Sequence, residues 1–421
     1  SGGPERPSER SGGPERPSER SGGPERPSER SGGPRHEAPS SPEEAARVMR
    51  AAGDEQRRVR VRGGGTKRSW GGSSCHAGGG GGAADIDLST ERLDTLIEHN
   101  EGDLTAVLQA GVPLARAQKA FAEANQMIAL DPWLGDGGEA TIGGVVATAD
   151  SGPLRHRYGA ARDLILGITF VLADGTVAKA GSNVIKNVAG YDLAKLFTGS
   201  FGTLGLVAEV VMRLHPLAGN RVTAVGSSDD PDALGRAASA VAHSPLGAES
   251  LDMAWGDGHG QVLARFGGAV PEAAAGQALE LLRQAGLEGQ HIVDDDGLWE
   301  RQRQRQRSSD GTVLRVSGLA SDLPAVLRSA QEAAASLVGR AGMGLSWITL
   351  PAQEASVMVA AIEDLRRRLR PFPCVVVDAP GDVRAKVDVW GEDAALPLMR
   401  RVKERFDPHN VCNPGIFVGG I

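Results

Sequence analysis

The sequence predicts an α+β fold, and three observations lead to that prediction. Beyond about residue 40, amphipathic helical segments are interspersed with short β-branched strands. One pair of strands is joined by a tight turn at Asp174-Gly175, which is typical of a hairpin in an antiparallel sheet. Glycine-rich stretches interrupt the apolar pattern, and they indicate backbone that comes close to a ligand. This mixed order favours α+β over a doubly wound parallel sheet.

The first forty residues differ from the rest of the chain. The decapeptide SGGPERPSER occurs three times in tandem and is followed by a partial copy, SGGPR. The repeat contains no aliphatic or aromatic residue, so it cannot bury enough apolar surface to offset the entropy lost on ordering. We therefore predict a disordered, low-complexity tail over residues 1–40.

Composition excludes several classes of protein. The formal net charge of -7 argues against a nucleic-acid partner. We interpret the basic runs at residues 301–307 and 366–370 as solvated helix faces. The apolar stretches are about half as long as the ~20 residues of a membrane span, and no signal peptide is visible. Three cysteines without a CxxC pair suit a reducing compartment, so we expect a cytoplasmic protein.

The first elements after the tail follow from local patterns. Residues 43–53 have helical spacing and end at glycine. Residues 57–62 alternate as a strand that enters a glycine turn at 63–65. The stretch 85–100 predicts a strand and then a helix that begins near Ser89 or Thr90, because Leu93, Leu96 and Ile97 share one helical face. We further expect a strand at 104–110, a helix at 113–125, a pair of strands within 161–181, a helix at 191–197, and a strand that follows Gly205 and ends at Leu214.

The glycine turn after the second predicted element has the composition of an anion cradle. Thr66 and Lys67 follow the glycines directly, so free backbone amides and a lysine would converge on one site. The alternative is a tight hairpin with solvated polar residues. The loop is not a Walker A motif, because the chain contains no Gly-Lys pair, and it is not a GxGxxG motif followed by a helix.

Four segments in a fixed order resemble a known family. They are VRGGGTKRSWG, EATIGGVVATADSGPLRHRYGAARDLILG, KNVAGYDLAKLFTGSFGTLGLVAEV and KERFDPHNVCNPGIF. They are similar to the FAD-linked oxidases that share the vanillyl-alcohol-oxidase-type flavin fold, and most of all to the FAD-binding subunit of bacterial glycolate oxidase. The resemblance implies a two-subdomain FAD-binding domain over 41–217 and an α+β cap over 218–400. It also implies a C-terminal segment, 401–421, that returns to the FAD-binding domain.

The resemblance also implies which residues contact FAD. The flavin diphosphate would lie on Gly63, Gly64, Gly65, Thr66 and Lys67, and a second wall of the site would be Thr141, Ile142, Gly143 and Gly144. The isoalloxazine would pass Ser151, Gly152, Tyr158 and Gly159, and the adenine end would contact Gly202, Thr203, Gly205, Leu206 and Val207. Asn413 would return to the flavin from the C-terminal segment. For each glycine the alternative is an ordinary turn or bulge. The neighbours of His76 do not match a histidyl linkage, so non-covalent FAD is expected.

Substrate and metal sites are less defined by the sequence. Arg155 and Arg157 follow the Ser-Gly pair and are candidate anchors for a substrate carboxylate, since arginine presents a bidentate fork. The alternative is a solvated loop. Family members that oxidise 2-hydroxy acids unaided tend to carry an HxGDGNxH-like motif, and the stretch at 255–260, WGDGHG, lacks its spaced histidines. No histidines form HExxH or another close ligand pair, so no metal site is predicted.

The resemblance implies oxidation of glycolate to glyoxylate, with hydride transfer to FAD. Its expected partners are a larger flavin subunit and an iron-sulfur subunit of the same complex, through which the chain could associate peripherally with a membrane. Three cysteines cannot ligate a four-cysteine cluster, so electrons would leave through another chain. Two alternatives stay open: a stand-alone FAD-dependent dehydrogenase for a 2-hydroxy acid or alcohol, and a non-catalytic flavin-binding structural subunit.

Overall fold

The computed structural model describes residues 2–3, 33–72, 84–182, 192–293 and 295–421. The chain divides into two compact units, Ser1–Gly33 and Pro34–Ile421. Most of the predicted repeat tail lies outside the described residues. The larger unit begins earlier than the predicted boundary at residue 41, because Arg35–Glu37 is already a strand of its first sheet.

A small parallel sheet begins the larger unit. Its strands are β1 (Arg35–Glu37), β2 (Val59–Arg62) and β3 (Ile86–Ser89), in the order β1-β3-β2. Helix α1 (Pro42–Asp54) begins where the Ser41 hydroxyl accepts the N–H of Glu44 at 3.2 Å. Its buried alanines and Met49 pack against Val59 and Leu88 of this sheet. The strand and glycine turn predicted at 57–65 therefore emerge from a packed layer.

A five-stranded antiparallel sheet follows, in the order β4-β5-β9-β7-β8. Its strands are β4 (Leu96–Asn100), β5 (Thr105–Gln109), β7 (Ile165–Val171), β8 (Val177–Gly181) and β9 (Leu206–Arg213). The helices of this subdomain are α2 (Leu114–Ala122), α3 (Ile142–Thr148), α4 (Arg155–Tyr158), α5 (Ala161–Leu164) and α6 (Leu193–Phe197). The short strands β6 (Gln126–Met127) and β10 (His215–Pro216) pair with each other.

The helix predicted after Ser89 or Thr90 is wrong. Residues 96–100 form strand β4, and Leu96 pairs with Leu108 of β5. Leu93, Leu96 and Ile97 are spaced as on a helix, but the backbone of residues 96–100 forms its hydrogen bonds with strand β5, which follows after a turn. Tertiary pairing therefore overrides the local helical pattern.

The rest of the large unit is built on an eight-stranded antiparallel sheet in the order β14-β11-β13-β12-β16-β17-β15-β18. Its strands are β11 (Arg221–Ser228), β12 (Ser250–Gly256), β13 (His259–Gly267), β14 (Glu288–Ile292), β15 (Thr312–Ser317), β16 (Ser336–Arg340), β17 (Leu345–Leu350) and β18 (Cys374–Asp378). The helices are α7 (Pro231–Ala242), α8 (Pro271–Gln284), α9 (Asp296–Gln304), α10 (Leu323–Glu332), α11 (Ala355–Arg368) and α12 (Gly381–Arg384). We call this region the cap.

The two faces of the cap sheet have different partners. One face packs against α7, α8, α10 and α11 in the largest apolar core. The other carries Val313, Val338 and Trp347, which form a second cluster with Trp70 and Phe201 of the preceding domain. The cap therefore lies against the first domain through this second face of its sheet, on which Trp299 of α9 also packs.

The basic runs are solvated helix faces only in part, because Arg301, Arg305, Arg367, Arg368 and Arg370 are exposed but Arg307 and Arg366 are not. The Arg307 guanidinium is 14% exposed and forms a salt bridge with Asp378. Arg366 is 15% exposed and donates from Nη2 to the Asp388 carbonyl at 2.7 Å. These two arginines differ from their exposed neighbours because they have partners that lie further along the chain, Asp378 and Asp388.

The C-terminal segment returns to the first domain. Helix α13 (Leu396–Phe406) carries Lys403, whose buried ammonium donates to the carbonyls of Thr203 at 2.8 Å and Cys412 at 2.9 Å. Lys403 also pairs with Asp407 at 2.7 Å. Cys412 forms a parallel bridge to Val59 of β2. The segment thereby ties the first sheet to the loop before β9.

Among the described helices, none is both long and apolar enough to cross a bilayer.

Candidate functional site

A cleft in the first domain contains about 1030 Å³ of space free of protein atoms, and this space is partly open to solvent. Its walls are the end of β2 with the following loop, the start of α3, the loop before β9, and the C-terminal segment. The predicted residues that line it are Gly63, Gly64, Gly65, Thr66, Lys67, Thr141, Gly143, Gly144, Gly202, Gly205, Val207 and Asn413. Segments far apart in sequence thus meet at one cavity.

Some predicted residues lie behind the cleft wall. Ile142 and Leu206 point into apolar cores, and the buried Thr203 hydroxyl donates to the Ser200 carbonyl at 2.7 Å. The sequence also missed several lining residues: Arg60, Val61, Arg62, Arg68, Thr90, Ala110, Ala147, Thr148, Phe201 and Ile416. Most of these carry no composition signal, and only the folding of neighbouring strands brings them to the cavity.

The loop after β2 offers backbone hydrogen-bond donors to the cleft. Five consecutive amides, from Gly63 to Lys67, donate to no acceptor within the described ranges. Gly64 is exposed, but the other four residues are partly buried, where amides are normally satisfied, so the run points to a ligand acceptor. A Cβ on Gly64 would overlap the Glu139 carbonyl, and one on Gly63 would overlap the Thr141 hydroxyl. The absence of side chains therefore lets the loop lie against the opposite wall.

Lys67 is held by a protein carboxylate. Its ammonium lies 3.1 Å from the Asp150 carboxylate, and both side chains are almost fully buried. Asp150 also accepts the N–H of Ser151 at 2.9 Å. The lysine contributes positive charge at the cleft wall, but part of that charge is already neutralised, so anion binding depends chiefly on the amides.

Asn413 fixes the wall formed by the C-terminal segment. Its side-chain carbonyl accepts the N–H of Val61 at 2.8 Å, and its amide donates to the Phe201 carbonyl at 2.6 Å. Its backbone has φ of 42°, a left-handed conformation that asparagine tolerates better than most residues. The side chain is 4% exposed. Asn413 therefore joins two cleft walls and has little hydrogen-bonding capacity left for a ligand.

The segment predicted to pass the isoalloxazine lies between the first domain and the cap, beyond the residues that line the cleft. Gly152 is so close to the Asp131 carbonyl that a Cβ would overlap it. Tyr158 donates to Glu249 of the cap at 3.1 Å, and burial with this carboxylate raises the pKa of Tyr158 to about 12. Gly159 has φ of 84°, which suits glycine. The buried Ser151 hydroxyl accepts a hydrogen bond from Arg155 at 3.2 Å.

The two candidate anchor arginines have different environments. Arg155 is half-buried, and burial lowers the pKa of its guanidinium. Arg157 is exposed, donates to the Gly247 carbonyl and lies 5.9 Å from the centroid of the Tyr158 ring. Arg155 is therefore placed to face the interior, whereas Arg157 is occupied at the outer rim.

Arg307 links the cap to the loop that carries the free amides. It forms a bidentate pair with Asp378, at 2.5 Å from Nε and 3.0 Å from Nη2, and Nη1 donates to the Thr66 carbonyl at 3.0 Å. The guanidinium also lies 4.6 Å from the centroid of the Trp133 ring and 5.4 Å from that of Trp70. No sequence motif pointed to this residue.

Within the described part of the chain, no group of three or more His, Cys, Asp or Glu side chains is arranged to hold a metal ion. His76, considered for a covalent flavin link, lies outside the described residues.

Comparison with known proteins agrees with this geometry. Residues 37–181 match the protein family described as FAD binding domain. An uncharacterized FAD-linked oxidoreductase of Mycobacterium tuberculosis is 25% identical over 425 residues, 90% of each chain. The glycolate oxidase subunit GlcE of Escherichia coli is 37% identical over 121 residues, which cover 29% of this chain and 34% of that protein. A mitochondrial D-lactate dehydrogenase [cytochrome] of Arabidopsis thaliana is 34% identical over 188 residues, 44% of this chain and 31% of that protein.

Solved structures show the same fold. The structure of an alkyldihydroxyacetonephosphate synthase aligns with a TM-score of 0.67 at 16% identity, covering 90% of this chain and 75% of that chain. The predicted vanillyl-alcohol-oxidase-type fold is therefore confirmed, as is FAD as the cofactor. The chain is an FAD-dependent oxidoreductase.

Proposed function

We propose that this chain is the FAD-binding subunit of a complex that oxidises glycolate to glyoxylate. The observation that carries the proposal is the run of amides from Gly63 to Lys67 that have no acceptor among the described residues and lie on the wall of a large cleft, in a chain similar to a glycolate oxidase subunit. Consecutive amides are the donors that a diphosphate requires, and they carry no side chains that would compete for the same space at the three glycines.

Different residues of the cleft would contact different parts of the cofactor. The amides from Gly63 to Lys67 would bind the diphosphate, while Thr141, Gly143 and Gly144 form the facing wall. Asn413 and Arg307 would hold the walls in place through the contacts described above. Ser151 to Gly159 would approach the isoalloxazine, and Arg155 would orient an acid beside it. Arg157 is a weaker candidate, because its guanidinium is already bonded at the rim.

Bound FAD would accept the hydride that leaves the hydroxyl-bearing carbon of the acid. The electrons would pass to an iron-sulfur subunit, since the three cysteines of this chain are too few to ligate a four-cysteine cluster. A larger flavin subunit would complete the complex.

Co-purification followed by spectroscopy tests this proposal. The tagged full chain is isolated with its partners, and the flavin absorbance is recorded before and after anaerobic addition of glycolate or D-lactate. The proposal expects bound FAD, an iron-sulfur partner, and bleaching by glycolate. A preparation without flavin, or a complex whose flavin stays oxidised with both acids, contradicts it.

One further candidate has a specific observation in its favour. The D-lactate dehydrogenase of Arabidopsis thaliana is 34% identical over 44% of this chain, which supports a stand-alone dehydrogenase for a 2-hydroxy acid. Turnover of D-lactate by the isolated chain with a dye acceptor would favour that function. Flavin that both acids leave oxidised in the assembled complex would instead favour a non-catalytic flavin-binding subunit.

A further inference from the structure

The five-stranded sheet of the first domain has one face that helix α1 covers only in part. Ile168 and Val210 point into the apolar core formed with α2, α3 and α6. Alternate residues of a strand point to opposite faces, so Thr169 and Glu209 lie on the other side, which we call the outer face. Helix α1 packs against one end of the outer face, at Val171. Beyond α1, the outer face borders a hollow that is open to solvent and contains about 710 Å³ free of protein atoms.

The two rims of the outer face differ in shape. Strand pairing aligns one row of residues across the sheet, from Glu98 on β4, through one valine each of β5 and β9, to Gly167 on β7 and Gly181 on β8. At the β4 rim, the register shifts beside Ile97, whose side chain borders the hollow and is 48% exposed. Toward the β8 rim, the two glycines have no side chains to fill the space above the backbone. An apolar side chain therefore protrudes at one rim, and a glycine hollow lies toward the other.

The two rims also carry opposite charges. Glu98, at the β4 rim, is exposed and forms no salt bridge with any residue that the structure describes. Lys179, at the β8 rim, has a side chain that is 77% exposed, and its ammonium lies 3.9 Å from Glu209. That contact is long, and Glu209 already accepts a hydrogen bond from the Thr169 hydroxyl at 2.9 Å. An exposed pair of this kind contributes little, so Lys179 is available to a second carboxylate.

We propose that the outer face binds the outer face of a second copy of this chain, in a two-fold symmetric dimer. Strands β4 and β8 are the opposite edges of the sheet. A two-fold axis parallel to the strands therefore places β4 of each copy over β8 of the other. Ile97 of each copy then enters the glycine hollow of the other, and Glu98 lies beside Lys179. Both contacts occur twice, as an interface between identical surfaces requires.

The charge of the whole chain favours this surface over others. Because the formal net charge is -7, two copies repel each other unless the surfaces that meet bring opposite charges together. The outer face does so through Glu98 and Lys179, whereas a two-fold axis perpendicular to the strands would place each of these residues against its own equivalent. The charges therefore select the arrangement with β4 over β8.

The size of the outer face sets the expected affinity. Five strands about 4.8 Å apart, and about five residues of ~3.4 Å along each strand, give a face of about 20 Å by 17 Å. Two such faces bury less than the roughly 1,600 Å² of a standard interface. We therefore expect a dimer that dissociates at micromolar concentrations rather than a permanent one.

Sedimentation equilibrium of the full, FAD-loaded chain tests the proposal over about 1 to 100 μM. The wild type should pass from monomer to dimer over this range. Lys179→Glu and Glu98→Lys each turn two attractive contacts of the dimer into repulsive ones, so each should raise the dissociation constant by about tenfold or more. Ile97→Asp should weaken the dimer at least as much, because it places a carboxylate in the glycine hollow.

Charge exchange provides a test of the arrangement itself. With β4 over β8, an equimolar mixture of Lys179→Glu and Glu98→Lys forms a heterodimer in which both contacts are attractive, and the double variant restores both contacts within one chain. Both preparations should dimerise as the wild type does. Lys119→Glu and Glu123→Lys change the same charges at exposed positions on and just after α2, on the other side of the sheet, and should leave the dimer unchanged. Val270→Asp, at a 68% exposed position of the cap, is the control for Ile97→Asp.

Three results would overturn the proposal: a wild type that stays monomeric over the whole range, a dimer that Lys179→Glu and Ile97→Asp leave intact, and a mixture of the two charge variants that does not dimerise. Circular dichroism and FAD content show that each variant is folded, and Ile97→Ser replaces Ile97→Asp if the latter does not fold. None of these measurements depends on the oxidation of glycolate, so the dimer and the proposed function fail separately.

Discussion

Arg307 should be essential for holding the amide loop against the cap. Arg307→Ala removes the bidentate pair with Asp378 at 2.5 and 3.0 Å and the bond to the Thr66 carbonyl at 3.0 Å. It also removes the cation from beside the Trp133 ring, 4.6 Å from the centroid. Asp378, whose side chain is 6% exposed, would stay buried without its cation.

The magnitude follows from these contacts. Removing one partner of a buried ion pair costs about 3–5 kcal/mol, mostly because the remaining charge is left uncompensated. Asp378 keeps the hydrogen bond from the Ser69 hydroxyl at 2.9 Å, so the loss should fall at the lower end, about 3 kcal/mol. The freed carbonyl of Thr66 also loosens the loop, and we expect the dissociation constant for FAD to rise by about tenfold, equivalent to about 1.4 kcal/mol.

Urea unfolding of the FAD-free chain measures the loss in the free energy of unfolding. It is followed by circular dichroism and by tryptophan fluorescence, and the two transitions must coincide for the unfolding to be treated as two-state. Fluorescence titration with FAD measures the dissociation constant for FAD. Arg305→Ala, an exposed arginine two residues earlier, is the matched control and should change neither. Asp378→Asn combined with Arg307→Ala should cost less than the sum of the single changes. If Arg307→Ala lowered the free energy of unfolding by less than about 1 kcal/mol and left the FAD affinity unchanged, the reasoning would be refuted.

Three further predictions follow from the same structure. Gly64→Ala should abolish FAD binding, because its Cβ would overlap the Glu139 carbonyl, whereas Gly276→Ala meets nothing within 4 Å and should bind FAD normally in the same titration. Asn413→Ala should lower the free energy of unfolding by about 2 kcal/mol, because the Val61 N–H and the Phe201 carbonyl lose their partner. Urea unfolding of the FAD-free chain measures this loss, and an unchanged free energy of unfolding would contradict the prediction. Burial raises the pKa of Asp131 to about 6, above an unfolded value of about 3.9, so its contribution to stability is present below pH ~4 and is lost as the pH rises through 6. Urea midpoints should therefore fall between about pH 4 and 6, by less in Asp131→Asn, and identical pH slopes in the two proteins over that range would contradict the assignment.

The sequence by itself determined the parts of the site that depend on backbone chemistry. A strand that runs into Gly63–Gly65 and then Thr66 and Lys67 predicts an anion cradle, because the three glycines have no side chains to cover their backbone amides. The glycines at 143, 144, 202 and 205 follow the same logic, and all of them line the cleft. Hairpin turns and helix ends were also local enough to be predicted.

Only the tertiary structure decided the parts that depend on partners distant in the chain. The strand Leu96–Asn100 has helical spacing but is fixed by its pairing with β5. From the sequence, Arg307 is one charge in a run predicted to be solvated. In the fold, it connects the cap to the amide loop, because folding brings Asp378 and Thr66 to it. Arg315, on strand β15 of the cap sheet, belongs to no motif that the sequence offers. The register of the cap sheet alone places it on the face toward the first domain, because side-chain direction in a strand is set by pairing and packing rather than by residue type.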